Sequence, residues 1–64
     1  MRIEPGMLFL NVLKRPTMVI ESFTCSDGVA WCVLMDHEGK FHAKKRWLRN
    51  QIRRGLLEVI NEAR

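Results

Sequence analysis

Cys25, Cys32, His37 and His42 are the side chains with which this chain could hold a metal or attack an electrophile, and they form a C-x6-C-x4-H-x4-H array. Zinc needs four ligands converging at bonding distance, and structural sites bring cysteines in on tight knuckles of two to four residues. The gap between the two cysteines is too wide for a knuckle, so no metal and no cofactor is expected. A Cys–His nucleophile would need an orienting third group and an oxyanion hole, which so short a chain does not supply. No Gly-rich phosphate loop or paired-carboxylate arrangement is present either. The expectation is a protein that is not an enzyme, unless a site is built across subunits. Both cysteines then read as small core residues and both histidines as exposed hairpin residues.

The second group able to do chemistry is cationic. Lys40, Lys44, Lys45, Arg46, Arg49, Arg53 and Arg54 lie within residues 40–57 with no acidic residue among them, so this segment carries +7. The formal net charge of the whole chain is +4, so the remainder is 4 − 7 = −3. On a helix, Arg46, Arg49 and Arg53 share one stripe at i, i+3 and i+7, while Leu48 and Ile52 point to the core. Guanidinium forks match phosphate geometry, and a stripe of one sign differs from the mixed charge of an ordinary solvated face. Lys44, Lys45, Arg46, Arg49, Arg53 and Arg54 are therefore the candidate contact set for the phosphates of DNA or RNA. Such contacts imply weak sequence preference and steep salt dependence. Trp47 falls off the Leu48/Ile52 direction and either packs over the end of the domain or stacks on a base.

Those side chains must be held by short elements. Residues 7–13, 17–25, 29–35 and 41–44 are rich in Val, Ile, Phe and Met and read as strands, separated by turn residues. Pro16 belongs in the first turn, Asp27-Gly28 is a strong hairpin signal, and residues 36–40 with Gly39 form the next hairpin. Along residues 17–25, Met18, Ile20 and Ser22 alternate with Val19, Glu21 and Phe23, and Trp31 reads as core. The period then changes: residues 47–54 suit one or two helical turns ended by Gly55, residues 56–60 a closing strand, and residues 61–64 a frayed tail.

Sixty-four residues, 47% of them hydrophobic, bound what this frame can be. The length suits one small domain, whose core is marginal, and the apolar fraction is too high for a disordered polycation. The apolar run near the start is broken by Asn11 and is too short to span a bilayer. Nor does it have the charge pattern or cleavage site of a signal peptide. With only two cysteines, the expected compartment is cytoplasmic.

Four meandering strands, a helical turn and a fifth strand make a mostly β domain that closes economically into a small barrel. The opening Pro5-Gly6, the Asp27-Gly28 and Glu38-Gly39 hairpins, and the helical turn before the last strand resemble the SH3-like barrels, including the KOW and Tudor types, over residues 5–60. The resemblance implies a five-stranded SH3-like barrel and carries no binding residues with it.

The first strand is apolar on both faces, and a barrel has one interior. Met7, Phe9, Val19 and Phe23 are thus expected on an outer face that meets a second copy or a partner protein. The rival to nucleic-acid binding is accordingly a protein-interaction adaptor, with the basic helix meeting an acidic partner. A groove for proline-rich ligands is less well served, since 8% of the chain is aromatic.

Overall fold

A computed structural model describes residues 2–61. Five antiparallel strands and one helix follow in the order β1 (Leu8–Asn11), β2 (Pro16–Thr24), β3 (Ala30–Asp36), β4 (Gly39–Lys44), α1 (Lys45–Arg53) and β5 (Leu57–Asn61). The domain is mostly β, with its helix before the last strand, as the sequence predicts. The strands form one sheet in the order β4-β3-β2-β1-β5, so β5 returns to pair with β1.

The sheet does not close into a barrel by hydrogen bonding. β4 and β5 remain its two edges. Instead α1 packs against β3, β4 and β5 and covers the open side. Leu48 is fully buried from the helix, and Ile52 packs against the core beside Leu57 and Val59. The apolar stripe of a short helix thereby takes the place of a final strand pair.

Turn chemistry sets the strand ends. Asn11 stops β1 two residues earlier than its apolar run, because its Oδ1 accepts from the Leu13 and Arg15 amides at 2.9 and 3.1 Å. Lys14 completes this turn in the left-handed region at φ 63°. Pro16 is not in the turn but is the first residue of β2, facing Leu10, a place where its missing N–H costs little. At the β2–β3 hairpin, Asp27 Oδ1 accepts from the Val29 amide at 3.0 Å and Gly28 takes φ 85°. His37 and Glu38 form the tight β3–β4 turn, where Asp36 Oδ1 accepts from the Glu38 amide at 2.8 Å. Arg15 reaches across to this turn, with Nη1 2.8 Å from His37 Nε2.

Sheet register corrects the predicted outer face. Met7, Phe9 and Val19 are core residues, buried with Ile3, Cys32, Leu34, Ala43 and Leu48. Residues 3–7 fold over the sheet, where the Gly6 amide donates to the Val19 carbonyl at 2.7 Å and the Val19 amide to that of Met7 at 2.9 Å. The two bonds extend the β1–β2 pairing, so Met7 lies on the same inner face as Phe9 two residues on. Phe9 pairs with the buried Thr17 on the same inner face.

Val19 and Phe23 part company because β2 carries a bulge at Ile20: Val19 faces Leu34, while Glu21 faces Val33 and Phe23 faces Trp31. One extra residue switches the alternation, so Val19 points in and Phe23 out. Of the four predicted interface residues, only Phe23 is exposed. Trp31 is not core either, since it stands half-buried on the outer face between Phe23 and Lys44. Asn61 ends β5, and the rest of the predicted tail lies outside the described residues.

Candidate functional site

Helix α1 begins two residues earlier than its apolar spacing predicts, immediately after β4, and this start shapes the charged surface. Its N-cap is Lys44, with extended backbone and no side-chain cap bond, and its first turn holds no acidic residue. Lys44, Lys45 and Arg46 therefore crowd the end where the helix dipole is positive, the reverse of the stabilising arrangement, at a cost of about 0.3–1 kcal/mol per charge. The penalty concentrates positive potential where the helix amides also point outward.

Four of the six predicted contact residues come together. Lys44, Arg46, Arg49 and Arg53 line one open groove along the exposed face of α1, with Trp47 and Asn50 between them. No lining residue is acidic. Arg53 Nη2 donates to Asn50 Oδ1 at 2.7 Å, which fixes one guanidinium along the helix. Asn50 was not evident in the sequence, because an amide among arginines carries no charge signal.

The other two lie apart. Lys45 is half-buried and turns with Arg49 toward a hollow lined by Arg2, Ile3, Glu4, Pro5 and Ser22. Arg54 is the exposed C-cap residue and does not line the groove. Lys40, the first cation of the basic segment, faces Met35 at the far end of β4 from the helix.

Aromatic residues flank the cations. Trp47 is 48% exposed and forms part of a second, shallow and mainly apolar hollow with Trp31, Phe41, His42, Ala43 and Lys44. Lys44 thus belongs to both surfaces, and its Nζ lies 5.5 Å from the centroid of the Trp31 ring. On the far side of that row, Phe23 and His42 meet edge to face, with centroids 6.0 Å apart.

The Cys/His array does not converge. Cys32 is buried in the core, whereas His42, one register position along, stands on the outer face against Phe23. His37 sits in the β3–β4 turn and Cys25 beyond the end of β2. Among the described residues, no group of three or more His, Cys, Asp and Glu could hold a metal ion. Both thiols are free. Burial pushes the Cys32 thiol above its ordinary value near 9.0, and the nearby Lys45 and Arg49 only partly oppose this.

No helix among the described residues is long and apolar enough to cross a membrane. No family model matches the chain, and no curated protein or solved structure is significantly similar to it.

Proposed function

We propose that this chain binds nucleic acid by clamping backbone phosphates in the groove along α1. The observation that carries the reading is the convergence of Lys44, Arg46, Arg49 and Arg53 on one open surface whose lining includes no carboxylate. Phosphate is the anion that guanidinium forks fit best, and a run of phosphates matches cations spaced along a helix better than a single small anion does. The cation-crowded start of α1 supports the same reading, because bound anions would offset the unfavourable dipole there. The order in which β5 returns to β1 supports the SH3-like view of the scaffold.

Backbone contacts position a nucleic acid without reading it, so sequence preference is weak. Electrophoretic retardation at several salt concentrations tests the reading. Four phosphate contacts give a log K against log salt slope of roughly −3 to −4, and the triple variant Arg46→Glu, Arg49→Glu, Arg53→Glu loses binding while keeping its far-UV circular dichroism. Absence of retardation of both DNA and RNA by the wild-type protein at low salt refutes it.

A further inference from the structure

We infer that the strand taken by this surface is single, with unpaired bases stacking on Trp47 and beside Lys44 on Trp31. The inference rests on the phosphate-binding reading above and adds the class of nucleic acid. It comes from a feature that phosphate binding leaves unused, namely that the cationic groove and the apolar aromatic hollow are contiguous. Trp47 and Lys44 belong to both linings.

A duplex presents its phosphates outward and keeps the faces of its bases stacked inside, so a half-exposed indole at the groove's rim has nothing to stack on. A single strand offers phosphates and ring faces side by side. The row running from Arg53 through Arg46 to Trp47, Lys44 and Trp31 offers the complementary alternation of cation and ring. Each base stacked on an aromatic side chain contributes enough to change affinity by about fivefold to a hundredfold, whatever the base. The position of Trp47 also has a cost: a large apolar side chain left half in water beside an apolar hollow gains from being covered.

Lys44 joins the two halves. It faces Trp31 directly across the β3–β4 ladder and holds its ammonium over that ring. A phosphate drawn to Lys44 would bring its adjoining base to the edge of Trp31 and Trp47.

The test measures fluorescence anisotropy of labelled oligothymidine, oligouridine and a DNA duplex of equal length, with competition by heparin, a polyanion without bases. Single strands should bind at least about fivefold more tightly than the duplex, with quenching of tryptophan emission. Trp47→Ala should lose at least about fivefold on single strands and leave heparin binding within about twofold, while Trp47→Phe, which keeps a ring, restores most of the affinity. The two oligonucleotides report whether DNA or RNA is preferred, and tighter binding of either supports the inference. Equal or tighter duplex binding, or a Trp47→Ala variant that binds single strands like the wild type, overturns it and leaves the phosphate-binding reading standing. Failure to bind any of the nucleic acids overturns both.

Discussion

Lys44 Nζ lies 5.5 Å from the centroid of the Trp31 ring, and the two residues face each other across the β3–β4 ladder. The contact links the outer face of the sheet to the start of α1, because Lys44 both ends β4 and caps the helix. An exposed cation–π pair contributes only about 0.5–1 kcal/mol. Lys44→Ala loses that pair but also relieves the dipole cost of about 0.3–1 kcal/mol at the start of α1, so the urea midpoint should scarcely move while one phosphate contact is removed. The measurable signature is a salt slope shallower by about one, obtained by titrating nucleic-acid binding across salt concentrations.

Arg46 sets stability and binding in opposition. It lies in the first turn of α1, where the helix dipole disfavours a cation and favours an anion. Arg46→Glu, which removes a disfavoured cation and adds a favoured anion, should raise the Tm by several degrees, reflecting about 0.6–2 kcal/mol, and weaken nucleic-acid binding in the same sample. Thermal melts and retardation assays on one preparation check both directions. A fall in both quantities would mean that Arg46 is held by contacts other than the groove.

Two phenylalanines from adjacent strands should respond very differently to truncation. Phe9 is 0% exposed at the centre of the core, whereas Phe23 is 38% exposed on the outer face. Phe9→Ala should cost about 3–5 kcal/mol, close to the whole stability expected of so small a domain. Phe23→Ala should cost about 1 kcal/mol and leave a cooperative transition. Urea denaturation followed by circular dichroism separates the two.

The two thiols differ in access and in ionisation. Cys25 is half-buried and Cys32 fully buried, so a thiol reagent should modify Cys25 first and Cys32 only as fast as the core opens. Burial raises the folded ionisation of Cys32 above its ordinary value near 9.0. Above that pH the unfolded chain binds fewer protons than the folded one, so the contribution to stability is complete below it and declines as pH rises toward the folded value. Melts recorded from neutral pH into this alkaline range should show a decline that is shallower in Cys32→Ala.

The local features of this fold were written plainly in its chain. Asp27-Gly28 and Gly39 mark their hairpins, and Leu48 and Ile52 carry the helical spacing that buries them. What the chain did not disclose depends on long-range pairing. The bulge at Ile20 is invisible to an alternation count, since Val19, Glu21 and Phe23 are evenly spaced in sequence. The burial of Ile3 is equally hidden, because that residue lies outside every strand and its place depends on how the chain before β1 meets the core. Arginine spacing on α1 is readable, and Arg46, Arg49 and Arg53 gather as periodicity demands, with Lys44 joining them from the end of β4. Trp31 departs from the core expected of it because an aromatic in an alternating strand resembles core until the register decides its face.

The extra residue in β2 also bears on which changes in length the strand can tolerate. Before Ile20 the outward positions are even-numbered, as at Met18, and after it they are odd-numbered, as at Glu21 and Phe23. Removing that one residue would restore a regular ladder in which Val19 still points in and Glu21 and Phe23 still point out, so the bulge would be lost while every other side chain kept its face. A residue removed from the regular stretch after the bulge would instead exchange inner and outer positions beyond it, unless the bulge itself were given up to absorb the change. The bulge is thus the one place between Pro16 and Thr24 where the strand can shorten by a residue and still present the same two faces.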